Sequence, residues 1–206
     1  VVLPEPIPAR LDRPYGILVT GIGGTGVVTI GALLGMAAHL EGKAASVMDL
    51  TGLAQKGGAV LSHVRIANKP ERLHAVGIGT GAAYLLLGCD LIVSASADGI
   101  SRLAKDRTTA IVNAQETITG DFTRHPDWEF PAAKLQAMIQ EAARETTFPD
   151  ATRLATALMG DAIATNPFML GFAYQRGLLP VSGDAILRAI ELNGAAVEFN
   201  RRAFRW

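Results

Sequence analysis

The chain has 206 residues, 19 Lys and Arg against 19 Asp and Glu, and no net charge, with the two signs spread evenly over both halves. That balance argues against a nucleic-acid binder held by phosphate contacts and against a basic membrane-surface domain. With 49% hydrophobic residues and a single cysteine, the chain buries a large core, forms no internal disulfide and cannot by itself ligate an iron–sulfur cluster.

Val1–Pro14 holds Pro4, Pro6, Pro8 and Pro14 and reads as an extended lead-in; residues 15–206 read as one domain. It carries no basic segment followed by an apolar stretch, so no signal peptide is expected, and a cytoplasmic location is. The chain starts with Val, as a processed protein or a piece of a longer one would. Pro14–Leu40 lacks Asp, Glu, Lys and Arg, but the glycines in its middle leave a helix of only about 24 Å, short of a bilayer. It reads as a buried strand over Tyr15–Thr20, a glycine turn, and a helix over Thr25–Leu40 closed at Gly42.

A second strand is expected over Ala45–Leu50, a loop over Leu53–Gly58, and an alternating strand over Val60–Ile66, with Val60, Ser62, Val64 and Ile66 on one face. Gly79–Leu87 reads as a turn into a short helix, Asp90–Ser94 and Thr108–Asn113 as strands, and Asp98–Lys105 as a helix capped by Asp98. The remainder reads as helical: Ala132–Thr146, Asp150–Met159, Asn166 or Pro167 to Arg176, Gly183–Leu192 capped by Ser182, and a last helix to the C-terminus. The alternation implies an α/β, Rossmann-like three-layer domain with a mainly parallel sheet and a helical C-terminal part.

Gly21-Ile22-Gly23-Gly24-Thr25-Gly26 fits G-x-G-x-x-G between a strand and a helix. On that pattern Gly21 permits the turn, Gly23 admits a phosphate to the backbone, and Gly26 lets the helix pack on the strand, while the helix N-terminus favours an anion. NAD, FAD and coenzyme A all carry a suitable diphosphate, and an empty glycine turn is the alternative. Asp49 ends the second strand and is either a ribose acceptor or a strand-end cap. Gln55-Lys56-Gly57-Gly58 offers a lysine within reach of a phosphate, or is a plain turn. Gly77–Gly81 lacks the full spacing, Gly31 and Gly35 suit packing on the sheet, His39, His63, His74 and His125 are too scattered for a metal pair, and Cys89 reads as a small buried hydrophobe.

Taken together, GIGGTGVVTIGALLGMAAHLEGK, QKGGAVLSHVRIA and the later NPFMLG resemble the gamma subunit or domain of 2-oxoacid:ferredoxin oxidoreductases. The tail NGAAVEFNRRAFRW looks most like the indolepyruvate type, particularly long fused versions. Gln55-Lys56 departs from shorter members, many of which have Glu or Ala and then Arg; lysine still binds phosphate, as a point charge. The resemblance implies a noncatalytic domain of a thiamine-dependent enzyme that oxidises an arylpyruvate-type 2-oxoacid to an acyl-CoA and reduces ferredoxin. This chain then supplies the coenzyme A side, through Gly21, Gly23, Gly24, Thr25, Gly26, Lys56, Gly57, Gly58 and Asn166. Thiamine diphosphate, Mg2+ and iron–sulfur clusters belong to partner domains or subunits. On this reading the isolated chain is inactive and partner-dependent, with a homo-oligomer possible through an exposed C-terminal helix (Val197, Phe199, Phe204, Trp206). The alternatives are a stand-alone NAD(P) oxidoreductase and a docking domain with an empty glycine loop.

Overall fold

The computed structural model describes residues 3–52, 58–116 and 130–206. Six strands, β1 (Tyr15–Ile22), β2 (Ala44–Thr51), β3 (Ala59–Ala67), β4 (Leu85–Gly88), β5 (Thr109–Val112) and β6 (Glu145–Thr147), form one sheet in the order β2-β3-β1-β4-β5-β6. The pairs β1–β4, β4–β5 and β5–β6 are parallel, and β3 runs against both β2 and β1. One strand is therefore reversed in a mainly parallel sheet. Because β3 lies between them, β2 is two strand spacings from β1, about 10 Å. Asp49 on β2 is exposed and does not flank the glycine turn as the ribose-binding acid of a dinucleotide fold does.

Helices cover both faces. On one side Ile17, Val19, Val64, Ile66, Leu85, Leu87 and Ile111 pack against α1 (Val27–Leu40), α6 (Thr165–Gln175), α7 (Gly183–Asn193) and α8 (Val197–Arg205). On the other, Leu18, Leu86, Ala110 and Val112 meet α2 (Leu91–Ser94), α3 (Ala97–Ser101) and α4 (Ala132–Ala142). Gly31 and Gly35 set the approach of α1 to the sheet. A Cβ on Gly31 would stand 2.2 Å from Ser62 Oγ, and one on Gly35 2.8 Å from Val47 Cγ2. The expected alternation of β3 is present, with Val60, Val64 and Ile66 in the α1-side core and Leu61 in the other.

Four expectations are corrected. Leu85–Gly88 is the central strand β4 rather than part of a helix, since its side chains are buried between two helical layers and its backbone pairs with β1 and β5. The strand expected at Asp90–Ser94 is instead α2, because the Asp90 carboxylate caps it by accepting the Val93 N–H at 2.9 Å. The helix expected through Thr146 stops at Ala142, and Glu145–Thr147 adds β6 to the edge of β5, where the Arg144 N–H reaches the Thr108 carbonyl at 2.8 Å. α3 begins at Ala97 with Ser96, not Asp98, as its cap. α5 (Ala151–Met159) carries its expected Asp150 cap, and α7 its Ser182 cap.

The lead-in lies along the C-terminal helices: the Ala9 N–H donates to the Leu179 carbonyl at 3.0 Å and Gln175 Nε2 to the Pro4 carbonyl at 2.8 Å. The apolar face of α8 turns inward. Phe204 is buried beside Tyr174, Val197 and Phe199 are half-buried, and Trp206 alone of the four named residues is exposed. No helix among the described residues is long and apolar enough to cross a membrane.

Candidate functional site

The glycine turn closes β1 and opens α1, and its glycines divide the work differently from the sequence pattern. Gly24 (φ 87°) and Gly26 (φ 95°) make the turn, in a backbone region that side chains disfavour. Gly21 is a packing position: a Cβ there would sit 2.5 Å from Val27 Cγ2 and 3.2 Å from Cys89 Cβ. The Gly23 N–H donates to the Gly58 carbonyl at 2.8 Å, so it is engaged within the protein, and a Cβ on Gly23 would press on that carbonyl at 3.3 Å. Thr25 Oγ1 donates to the Ile22 carbonyl at 2.7 Å, tightening the turn.

Asn166 ties the turn to the C-terminal helices. It lies in the first turn of α6, buried, and its Nδ2 donates to the Thr25 carbonyl at 2.7 Å across 141 residues. The structure thus brings Gly21, Gly23, Gly24, Thr25, Gly26, Gly58 and Asn166 together. Lys56 and Gly57 lie outside the described residues.

Beside the turn is a cleft of about 370 Å³ lined by Ile22, Gly24, Thr25, Cys89, Asp90, Asn113, Gln115, Thr152, Ala162, Ile163, Thr165 and Asn166. It opens at the carboxyl ends of β1, β4 and β5, where the strand order reverses between β1 and β4. That is the place an open α/β sheet offers a ligand. The uncapped N-terminus of α1 faces it, with no acidic residue in the first turn and no side-chain acceptor on its amides.

Sequence reasoning missed most of the cleft floor. Asn113, buried at the end of β5, donates from Nδ2 to Thr152 Oγ1 at 2.8 Å, and its Oδ1 accepts the Ala151 N–H at 3.1 Å. This pins the start of α5 against the sheet. Thr165 Oγ1 reaches the Ala162 carbonyl at 2.6 Å and fixes the opposite wall. For Asn113 the signal was present in the sequence, since it ends the apolar strand run read over Thr108–Asn113; for Cys89-Asp90 it was not, since Leu85–Gly88 read as helical. Burial, with Asp90 beside it, pushes the Cys89 thiol up to about 12, so it is not a thiolate nucleophile at neutral pH. The rest of the lining mixes the apolar Ile22, Ala162 and Ile163 and the Asp90 carboxylate with amides and hydroxyls.

The family model for pyruvate ferredoxin/flavodoxin oxidoreductase matches residues 16–206. The chain belongs to that family. Its relatives include the indolepyruvate oxidoreductase subunit IorB of Methanothermobacter thermautotrophicus, 25% identical over 93% of this chain and 94% of that protein. The common subunit gamma of the pyruvate/ketoisovalerate oxidoreductases of Pyrococcus furiosus is 26% identical over 90% of both. Among solved structures, the pyruvate oxidoreductase subunit PORC of Thermotoga maritima shares the fold at TM-score 0.63 and 19% identity, over 94% of each chain. A 2-oxoglutarate:ferredoxin oxidoreductase from Magnetococcus marinus, solved with 2-oxoglutarate, coenzyme A and succinyl-CoA bound, shares it at TM-score 0.68 and 16% identity. The match covers 94% of this chain and 30% of that one. The relatives of this family member are thus subunits of 2-oxoacid oxidoreductases.

Proposed function

We propose that this chain is the gamma part of a thiamine-dependent 2-oxoacid:ferredoxin oxidoreductase and holds coenzyme A in the cleft between the β1–α1 turn and α6. The observation that carries the reading is the joint placement of the uncapped α1 N-terminus, two positive-φ glycines and Asn166 at one cleft. The residues fit a diphosphate ester with an amide-bearing arm. A Cβ on Gly24 would meet nothing within 4 Å, so the backbone is open to a phosphate, and Gln115, Thr152 and Thr165 offer amide and hydroxyl partners along the floor.

Coenzyme A, when bound, supplies the thiol that accepts the acyl group. The chain's own part is positioning. Amides at the start of α1 neutralise phosphate charge, Asn166 keeps the turn in its binding shape through Thr25, and Asn113 holds α5 as the far wall. Decarboxylation and electron transfer belong to partner domains bearing thiamine diphosphate with Mg2+ and iron–sulfur clusters, with ferredoxin as the acceptor. The indolepyruvate oxidoreductase subunit among its relatives supports an arylpyruvate substrate such as indolepyruvate, chosen by the thiamine-bearing part. The missing neighbour for a ribose at Asp49 counts against the dehydrogenase alternative.

A thermal-shift panel tests the assignment. A ligand at one hundred times its Kd adds about 2.7 kcal/mol, and each kcal/mol moves Tm by about 2–4 °C at this size. Coenzyme A should therefore raise Tm by roughly 5–10 °C and NAD should leave it unchanged. A larger shift with NAD would overturn the reading in favour of a dehydrogenase.

A further inference from the structure

The cleft carries one charge, and its sign is wrong for a phosphate. Asp90 is the one charged side chain of the lining among the described residues, with no Lys, Arg or His beside it there. It is 4% exposed. Its Oδ1 accepts the Val93 N–H at 2.9 Å and caps α2, while its other oxygen, Oδ2, has no partner among the described residues. A buried carboxylate oxygen needs a donor, and a ligand that displaces water from the cleft must supply it. The same oxygen repels a phosphate. The two parts of the cleft therefore select opposite groups: the α1 amides an anion, Asp90 an uncharged N–H or O–H. Apolar contact is available at Ile163, 65% exposed on the rim, and at Ile22.

We infer that Asp90 orients coenzyme A in this cleft: it accepts a hydrogen bond from the phosphopantetheine arm and turns the adenosine 3′-phosphate end away. The inference rests on the coenzyme A reading above. The two halves of that ligand differ in the features the cleft distinguishes. Beyond the diphosphate the arm is uncharged, with a hydroxyl, two amide N–H groups, and a gem-dimethyl group that suits Ile22 and Ile163. The adenosine end carries a further phosphate, a like charge beside Asp90 with no cation among the described lining residues to offset it. With the diphosphate at the start of α1, the arm is the half that fits along the floor. Asp90 is then a specificity-determining residue, attracting one half of the ligand and repelling the other.

Asp90→Asn reverses the group in question while keeping its shape. Asn caps a helix as well as Asp does, and with its Oδ1 held by the Val93 N–H it presents an NH2 to the cleft in place of the carboxylate oxygen. Calorimetric titration of coenzyme A, 4′-phosphopantetheine and adenosine 3′,5′-bisphosphate into the full chain reads the result. In Asp90→Asn, with Tm close to wild type, affinity for coenzyme A and for 4′-phosphopantetheine should fall at least tenfold, and affinity for adenosine 3′,5′-bisphosphate should hold or rise. Ile163→Ser, at an exposed position, should weaken the same two ligands several-fold. Asp98→Asn, the same charge change on α3, should alter none of the three. Unchanged 4′-phosphopantetheine affinity in Asp90→Asn, or in Ile163→Ser should the first variant not fold, would overturn the inference and leave the coenzyme A reading standing. So would a loss confined to the adenosine fragment. A wild-type chain that binds no coenzyme A would overturn that reading, and the inference with it.

Discussion

Gly24 and Gly26 carry the turn that makes the cleft, and a Cβ at either meets a conformational cost before it meets a ligand. Gly26→Ala places a side chain in left-handed backbone and should lower stability by about 1–2 kcal/mol. Gly21→Ala acts by a different route: its Cβ overlaps the stiff, buried Val27, an overpacking cost of about 1–3 kcal/mol. Thermal denaturation should show Tm falling by several degrees in both, and an unchanged Tm for Gly21→Ala would refute the packing role. The glycine motif was legible in the sequence, but the division of labour within it was not. Pattern spacing carries no information on which glycine has positive φ and which faces a β-branched neighbour. His63 is a structural histidine: it is 1% exposed, and its Nδ1 accepts the Ile78 N–H at 3.0 Å. Burial, then Arg102, hold its pKa below the usual 6.5, against opposing pulls from Asp98 and Asp49. Above pH 6.5 the imidazole is neutral in both folded and unfolded chains. As pH falls below that value the unfolded chain takes up the proton first, so stability declines. The urea midpoint should drop more between pH 8 and pH 5 in wild type than in His63→Gln; parallel curves would contradict this.

Elements are joined by a few long-range side chains, and these set the site. The Asn166 amide ties α6 to the β1–α1 turn, so Asn166→Ala removes a donor and leaves the Thr25 carbonyl without it, at about 1–3 kcal/mol. Asn166→Ala should also weaken coenzyme A binding, measured by the loss of ligand-induced Tm shift; a full shift in a folded variant would separate Asn166 from the site. On the far side of α6, a Cβ on Gly171 would lie 2.0 Å from the Phe204 carbonyl, so the α6–α8 crossing depends on that glycine. Gly171→Val should unfold the C-terminal layer, read as lost helical circular dichroism with the lead-in released. Helices with side-chain caps were legible: Asp150 and Ser182 announce α5 and α7. The β4–α2 region was not. Leu85–Gly88 and Leu91–Ser94 are short apolar runs of equal hydrophobicity, and only burial on both faces makes the first a strand while the Asp90 cap makes the second a helix.

At the scale of the molecule, alternating apolar strands and amphipathic helices fixed the class, and the sheet order then decides where the cleft opens. Inserting β3 between β2 and β1 was invisible to strand-by-strand reading, because pairing depends on where the 59–67 strand docks rather than on its own alternation. The insertion moves Asp49 away from the turn and leaves the switch point at β1 and β4, where Asn113, Thr152, Thr165 and Asn166, residues scattered over the second half of the chain, line the cleft. The most direct measurement is calorimetric titration of coenzyme A into the wild-type chain and into Gly24→Asn. Asn tolerates positive φ better than other side chains and projects into the space in front of the turn, where nothing in the protein lies within 4 Å, so the variant should fold with a small loss of Tm and block the ligand. Saturable one-to-one binding in wild type, weakened at least tenfold in Gly24→Asn with no affinity for NAD, is the predicted result. Equal coenzyme A affinity in both proteins, or tighter binding of NAD, would contradict the assignment of this cleft.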